Sequence, residues 1–190
     1  NNADIILKIN APLEQELAFI KREAIILANF QALAEKERLK LFAKAGLTCF
    51  ALDLMPRISR AQSMDILSSQ SNLAGYAAVL EAFNTLNKAA PLMMTAAGTV
   101  SPAKVLVLGA GVAGLQAIAT AKRLGAQVFA SDVRPAVKEQ VESLGAKFVE
   151  VDSDESFETA GGYAKETSAE YKRKQAEAVA EQLTKTDVAI

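Results

Sequence analysis

The pattern that most constrains the fold is G-x-G-x-x-G, formed here by Gly109, Gly111 and Gly114. An apolar run, Val105 to Leu108, precedes it, and a helical pattern, Ala113 to Leu124, follows it. In a strand–turn–helix unit the first glycine permits a tight turn, the second lets a diphosphate reach the backbone, and the third lets helix and strand pack closely. This context predicts a dinucleotide-binding turn; a glycine-rich turn kept only for packing is the alternative.

Asp132 supplies the acidic residue that such a unit needs. It follows the apolar run Val128 to Ala130 and comes 18 residues after Gly114, close to the spacing of about 20 in the dinucleotide fingerprint. A carboxylate there can accept hydrogen bonds from both ribose hydroxyls and repels a 2′-phosphate, which favours NAD over NADP. Arg134 is a signal in the other direction, because a nearby arginine can accommodate that phosphate.

Strand and helix signals alternate along the rest of the chain, which favours parallel strands covered by helices. We expect further strands at Asp4–Ile9, Ala24–Ala28, Leu47–Leu52, Phe148–Val151 and Val188–Ile190. We expect further helices over Gln31–Ala45 with Gly46 at its end, from Ser71 toward Ala90, from Pro135 to Gly145, and up to Thr184. The predicted class is α/β, with two Rossmann-like parallel-sheet subdomains, each incomplete, linked by the long helix.

The predicted domain organisation has three segments. Residues 1–70 form a partial N-terminal α/β subdomain, residues 71–102 a linking helix and connection, and residues 103–190 a partial NAD-binding Rossmann subdomain. Gly98–Pro102 is expected to be the connection between the two subdomains. The sequence starts without Met and stops inside a predicted strand, whereas a doubly wound nucleotide domain continues past its fourth strand. We therefore expect an internal piece of a longer chain.

Composition excludes several functional classes. A net charge of −1 gives no electrostatic case for nucleic acid, and no apolar run approaches the roughly 18 residues of a membrane span. The single cysteine, Cys49, excludes a disulfide framework or a Cys-rich metal site, and its apolar strand predicts a buried thiol. The absence of histidine excludes Ser-His and Cys-His catalysis and the common His-containing zinc sites.

Two polar tracts are candidate ligand contacts. The first follows the predicted strand Leu47–Leu52, where ligands of open α/β sheets bind, and could orient an amide such as nicotinamide. Its candidate residues are Arg57, Ser59, Arg60, Gln62, Ser63, Asp65 and Ser68. A solvated loop with a local Arg–Asp pair is the alternative. The second, Gly161-Gly162-Tyr163, predicts a mobile loop that closes on a ligand, or a plain surface connection. The charged stretch Glu166–Lys174 is expected to be a solvated helix surface.

Five segments together closely resemble the NAD(H)-binding domain of proton-translocating NAD(P) transhydrogenase, in its alpha subunit. The resemblance covers essentially all 190 residues, and the Arg-Ile-Ser-Arg-Ala-Gln sequence is its most specific portion. By this similarity, about a third of a domain is missing before Asn1 and a larger portion after Ile190. The segments are Pro56–Asp65, Ser68–Tyr76, Lys104–Gly114, Asp132–Pro135 and Gly161–Lys165.

The resemblance implies a role for each matching residue. The nicotinamide end of NAD is expected at Arg57, Ile58, Ser59, Gln62, Asp65 and Ser68. The glutamine of this set also reaches toward the NADP on a partner domain. The turn glycines Gly109 and Gly114 accompany diphosphate contacts at Gly111 and Val112. Adenosine contacts are expected at Asp132, Val133 and Arg134, and the mobile loop over NAD at Gly162 and Tyr163. Arg57, Gln62 and Asp65 would orient the cofactors, and no residue is expected to act as acid or base.

The family reaction is direct hydride transfer from NADH to NADP⁺ on a partner domain, coupled to proton translocation by a membrane domain. Transfer between two nicotinamide rings needs positioning and exclusion of water, which agrees with a chain that has no histidine. The resemblance further implies a homodimer, a fragment inactive by itself, and no direct membrane insertion of this segment. The implied location is cytoplasmic and peripheral to the inner membrane, or the matrix side of a mitochondrion.

Two other functions remain open. An alanine-dehydrogenase-like amino-acid oxidoreductase would share this architecture, but its chemistry needs proton transfer, and that family places a histidine and a lysine in its first domain. A non-catalytic NAD-binding module would need only the glycine turn. The arginine-rich tract argues against that module, because adenine-nucleotide binding does not require it.

Overall fold

The computed structural model describes residues 2–56, 58–134, 136–151 and 168–190. The chain divides into two compact units, Asn1–Ser69 and Gln70–Ile190. Both contain a parallel sheet combined with helices, so the predicted α/β class is confirmed. Within the described ranges, none of the helices has the length and apolar character needed to cross a membrane.

The first unit is built on a three-stranded parallel sheet. Its strands are β1 (Ile5–Asn10), β2 (Ile25–Asn29) and β3 (Thr48–Ala51), in that spatial order. Helix α1 (Lys36–Lys44) connects β2 to β3. Short 3₁₀ turns occupy Glu14–Phe19, Leu52–Leu54 and Ser59–Met64.

The core of the first unit lies on one face of this sheet. Ile26 and Phe30 are fully buried there, and the ring of Phe30 meets that of Phe42 from α1 edge to face, with 5.2 Å between ring centroids. The alternate residues of β1 point away from this core, and Ile9 is 88% exposed. Cys49 packs against the core as predicted, but it is half-buried and not buried.

The helix predicted over Gln31–Ala45 is shorter than expected because a side chain holds its first residues in a turn. The carboxylate of Asp53 accepts hydrogen bonds from the N–H groups of Phe30 at 2.8 Å and Ala32 at 2.9 Å. Helix α1 begins only after this turn. Its end agrees with the prediction, since Gly46 follows it with a φ of +68°, a conformation that favours glycine.

The second unit combines a four-stranded parallel sheet with a hairpin. Helix α2 (Ile66–Thr85) leads into the hairpin strands β4 (Met93–Thr95) and β5 (Gly98–Val100). The parallel strands are β6 (Lys104–Leu108), β7 (Gln127–Ser131), β8 (Lys147–Phe148) and β9 (Val188–Ala189). The remaining helices are α3 (Val112–Arg123), α4 (Val137–Ser143) and α5 (Ala169–Leu183).

The spatial order β8-β7-β6-β9 places β6, the first strand of the parallel sheet, between the second strand, β7, and the fourth, β9. This is the order of a dinucleotide-binding half, 3-2-1-4. Val105 pairs with Val128 on one side and Val188 on the other, and all three are buried. The carboxyl ends of β6 and β7 lie side by side, where such sheets bind ligands.

Several boundaries differ from the sequence-based expectation. Helix α2 begins at Ile66, not Ser71, because the side chain of Asp65 caps it, as described below. It ends at Thr85 instead of Ala90, and beyond its end the Ala90 carbonyl accepts the N–H of Ala103 at 3.0 Å. A portion of the expected connection Gly98–Pro102 is strand β5. The strands expected over Leu47–Leu52 and Phe148–Val151 are shorter, at β3 and β8.

Candidate functional site

The glycine turn lies between β6 and α3. Gly109 has a φ of +94°, which favours glycine, and its N–H donates to the carbonyl of Ser131 at 2.8 Å. A Cβ atom on Gly114 would lie 1.8 Å from the carbonyl oxygen of Gly109, so only glycine fits there. A Cβ atom on Gly111 would meet nothing within 4 Å. Gly109 is therefore required by its backbone conformation and Gly114 by close packing against the turn, whereas Gly111 leaves open space above the turn.

The first turn of α3 is open for a ligand. Gly111 occupies the N-cap position and has no side chain to accept the first N–H groups of the helix. Such a helix end carries unpaired donors and a partial positive charge, which favour an anion.

Asp132, at the end of β7, is held by four hydrogen bonds. One carboxylate oxygen accepts the N–H of Arg134 at 2.8 Å and its Nε at 3.0 Å. The other accepts the N–H of Ala110 at 2.7 Å and Nη2 of Arg134 at 2.9 Å. Burial raises the pKa of the Asp132 carboxyl, but the hydrogen bonds lower it by more, so its pKa lies below the ordinary value. The carboxylate is therefore ionised at neutral pH.

A cleft of about 710 Å³ opens at the carboxyl ends of β6 and β7. Five of the predicted cofactor-binding residues line it: Gly109, Gly111, Asp132, Val133 and Arg134. Of the other two predicted residues nearby, Gly114 packs on the turn and Val112 is exposed, and neither lines the cleft. The structure thus gathers the turn and the acidic strand end around one cavity.

Helix α5 forms a wall of this cleft that sequence reasoning missed. Lys172, Gln175, Ala176 and Val179 line the cavity. Their spacing of three and four residues places them on one face of the helix. That spacing is the signal that could have found them, but it does not tell which face meets the sheet. Lys172 is exposed, as expected for the charged stretch Glu166–Lys174, and it also lines the cleft, whereas Tyr171 of the same stretch is buried.

Two side chains near Asp132 are buried. Ser131 is 2% exposed, and its hydroxyl has no hydrogen-bond partner in the portion of the chain that the structure describes. Ser131 also lines the cleft. Tyr171, in the first turn of α5, is 7% exposed, and burial together with the charge of Asp132 raises the pKa of its phenol. The ionised Asp132 carboxylate, itself 9% exposed, therefore lies among buried neighbours.

The described residues of the arginine-rich tract lie in the first unit and have mainly local contacts. Asp65 precedes α2, and its carboxylate accepts the N–H groups of Leu67 and Ser68, both at 3.0 Å. The Ser68 hydroxyl donates to the same carboxylate at 2.6 Å. Asp65 is thus a helix N-cap. Gln62 lies in the 3₁₀ turn before it, and its carbonyl accepts the N–H of Asp65 at 3.2 Å.

The remaining candidates of that tract and loop are placed as follows. Ile58 and Ser59 belong to the same segment of the first unit, and the side chain of Ile58 is 55% exposed. Arg57, Gly162 and Tyr163 lie outside the described residues. Their roles stay predictions.

Family models match both halves of the chain. The model described as "Alanine dehydrogenase/PNT, N-terminal domain" matches residues 1–74, and "Alanine dehydrogenase/PNT, C-terminal domain" matches residues 78–190.

Similar proteins carry names from the same family. The chain is 56% identical over 197 residues to the first component of the NAD(P) transhydrogenase alpha subunit of Rhodospirillum rubrum, a match that covers 100% of this chain and 51% of that protein. A solved transhydrogenase structure from Sinorhizobium meliloti superposes with a TM-score of 0.88 at 53% identity, covering 98% of this chain and 50% of that one. An alanine dehydrogenase of Halomonas elongata is 30% identical over 135 residues, 70% of this chain and 36% of that protein.

The chain therefore spans about half the length of the transhydrogenase relative that it matches throughout. The predicted resemblance to the transhydrogenase alpha subunit is confirmed by this relative and by the similar solved structure. Since the family models match 1–74 and 78–190, the chain belongs to the alanine dehydrogenase/PNT family.

Proposed function

We propose that this chain is the NAD(H)-binding component of a proton-translocating NAD(P) transhydrogenase. It is an oxidoreductase component in which NADH passes a hydride to NADP⁺ held by a partner domain, while a membrane domain couples the reaction to proton movement. The observation that carries the proposal is the cleft at the glycine turn. The ionised Asp132 lies there beside the uncapped N-terminus of α3 and Gly111, which has free space at its Cβ position.

The cleft fits a dinucleotide in three respects. The open space above Gly111 admits a diphosphate to the first N–H groups of α3. The Asp132 carboxylate can accept ribose hydroxyls in place of the Arg134 guanidinium, which holds two of its four hydrogen bonds. The unpaired Ser131 hydroxyl would gain a partner from a polar ligand.

Bound NADH supplies the hydride, and the residues of this chain hold and orient it. Asp132 and the glycine turn fix the adenosine and diphosphate groups. Arg57, Gln62 and Asp65 orient the nicotinamide end, a role that rests on the resemblance of their segment. Holding both reactants in one geometry lowers the barrier without any acid or base.

The titratable groups of the cleft agree with this mechanism. A general acid needs a pKa near the working pH, whereas hydrogen bonds hold the pKa of Asp132 below its usual range. The chain has no histidine to take that role. Hydride transfer between two nicotinamide rings needs neither a general acid nor a histidine.

An alanine-dehydrogenase-like reaction is the second candidate, because the family includes such enzymes and one of them is 30% identical over 70% of the chain. The transhydrogenase relative is 56% identical over the whole chain, which favours the first proposal. A non-catalytic NAD-binding module is the third possibility.

The partners follow from the proposed reaction. We propose an NADP-binding domain and a membrane domain as partners, a homodimer, and a site at the cytoplasmic face of the inner membrane, or the matrix side in a mitochondrion. The 190-residue chain alone would be inactive, because it supplies only one of the two nucleotides.

The test uses the full-length polypeptide with its NADP-binding partner. NADH should reduce an NADP analogue, followed by the absorbance of the reduced analogue. Failure of that reaction with both nucleotides bound would contradict the proposal. NADH oxidation driven by pyruvate plus ammonia, without NADP, would favour the alanine dehydrogenase reaction, and NADH binding with neither activity would favour a non-catalytic module.

A further inference from the structure

The basic residues of α5 differ in how their charge is balanced. Arg173 pairs with Glu177 at 2.7 Å, and Lys174 lies 3.6 Å from Glu170, each one helical turn away. Lys172 has only Ser168, Ala169, Gln175 and Ala176 at the positions three and four residues away. Across the described ranges, no ion pair involves Lys172.

Lys172 lies on the face of α5 that lines the cleft, whereas Arg173 does not line it. The other charged side chains of the cavity wall, Asp132 and Arg134, neutralise each other through a pair of 2.9 Å. Among the described residues that line the cleft, Lys172 therefore carries the charge that has no ion-pair partner. It adds to the positive end of α3, which opens at Gly111 of the same cavity.

We propose that the Lys172 ammonium pairs with the diphosphate of the dinucleotide, as a contact beyond the glycine turn. This inference rests on the proposed nucleotide-binding function. A flexible lysine acts as a point charge toward phosphate, so it needs no fixed fork geometry. A 2′-phosphate could supply the same chemistry, but Asp132 in the same cavity repels a phosphate on the adenosine ribose. The 5′-diphosphate is therefore the group that Lys172 binds.

The experiment measures binding of adenosine, ADP and 2′-AMP to the full-length polypeptide by calorimetry, in the wild type and in Lys172→Gln, Lys172→Arg and Arg173→Gln. Arg173→Gln removes the same charge from the same helix, outside the cleft. Lys172→Gln should raise the Kd for ADP about tenfold and leave adenosine within about twofold, the size expected for one charge-assisted contact. Lys172→Arg should restore ADP binding, and Arg173→Gln should change neither ligand.

The salt dependence gives a second readout. Removing one cation that contacts phosphate should flatten the rise of the ADP Kd with salt, whereas a change of local structure would not. Equal losses for adenosine and ADP would overturn the inference, as would a loss confined to 2′-AMP. If the wild type binds ADP and Lys172→Gln binds it equally well, only the role of Lys172 is wrong. If the wild type binds none of the three ligands, the nucleotide-binding function itself fails.

Discussion

Gly75 of α2 lies directly against the carbonyl oxygen of Ala113 in the first turn of α3. A Cβ atom built on Gly75 would come within 2.0 Å of that oxygen. One turn further along α2, Val79 is fully buried in the core that also holds Ala117 of α3. The backbones of α2 and α3 are therefore in direct contact where Gly75 meets Ala113, just after the glycine turn.

This contact predicts the effect of Gly75→Ala. Alanine in place of glycine normally stabilises a helix by about 1 kcal/mol. Here the added methyl group must push α2 away from α3, so we expect a loss of ~1–3 kcal/mol in the free energy of unfolding. Urea denaturation measures it. Asn72→Ala, an exposed position on the same helix, is the control and should change stability by less than about 0.5 kcal/mol. A stabilised Gly75→Ala variant would show that the helices are further apart.

Much of the second unit was predictable because its strands are continuous apolar runs. Val105, Val107 and Val128 are buried, as expected for a central parallel strand covered on both faces. The positions of Gly109 and Asp132 followed from the same pattern, since the turn and the strand end have fixed places in a strand–turn–helix unit.

The missed features depend on side-chain hydrogen bonds and on contacts between distant residues. The Asp65 carboxylate sets the start of α2 by accepting the N–H of Ser68. The late start of α1 depends on the carboxylate of Asp53, which accepts the N–H of Ala32 although it lies 17 residues after Lys36. Neither contact can be predicted from the periodic spacing of apolar residues. The cleft face of α5 could not be predicted for the same reason, because the spacing of Lys172 and Gln175 gives a face but not its neighbour. Arg134, in the sequence a signal for a 2′-phosphate, is paired with Asp132 in the structure.

Alanine substitutions at two glycines of the turn should separate an effect on nucleotide binding from an effect on stability. Gly111 has an ordinary φ of −79° and open space at its Cβ position, so Gly111→Ala should lower the Tm by only a few degrees, the cost of alanine at an N-cap. Its methyl group would stand where the diphosphate approaches, so the Kd for NADH should rise by roughly tenfold or more. Gly114→Ala clashes with the Gly109 carbonyl and should lower the Tm. Fluorescence titration and thermal unfolding of both variants check this. Unchanged NADH binding in Gly111→Ala would place the diphosphate elsewhere.

Asp132 should make a pH-dependent contribution to the stability. Hydrogen bonds keep its folded-state pKa below the ordinary value of 3.8, so its ionised form stabilises the protein above that value. The contribution is lost as the pH falls through the folded-state pKa. Asp132→Asn should therefore be less stable than the wild type at pH 7, and the difference should shrink below about pH 4. Urea denaturation from pH 7 to pH 3 measures it. A difference independent of pH would mean that charge is not the cause.

Ser131 should show opposite effects on stability and on binding. Its buried hydroxyl lacks a partner among the described residues, and such a group costs about 1–3 kcal/mol. Ser131→Ala should therefore raise the free energy of unfolding of the ligand-free protein by about 1 kcal/mol and weaken NADH binding a few-fold. Ser143→Ala, an exposed serine whose hydroxyl donates to the Gln140 carbonyl at 2.7 Å, is the control. Loss of stability in Ser131→Ala would mean that the hydroxyl already has a partner.

Asp65 has a structural role that competes with its proposed role at the nicotinamide. Its carboxylate caps α2 through Leu67 and Ser68, and asparagine caps helices about as well as aspartate. Asp65→Asn should therefore keep the Tm within a few degrees, whereas Asp65→Ala should lose about 1 kcal/mol. If the charge orients the nicotinamide, Asp65→Asn should slow hydride transfer at least tenfold in the full-length complex, measured by stopped-flow reduction of an NADP analogue. A normal rate in Asp65→Asn together with a less stable Asp65→Ala would assign Asp65 to the helix cap alone.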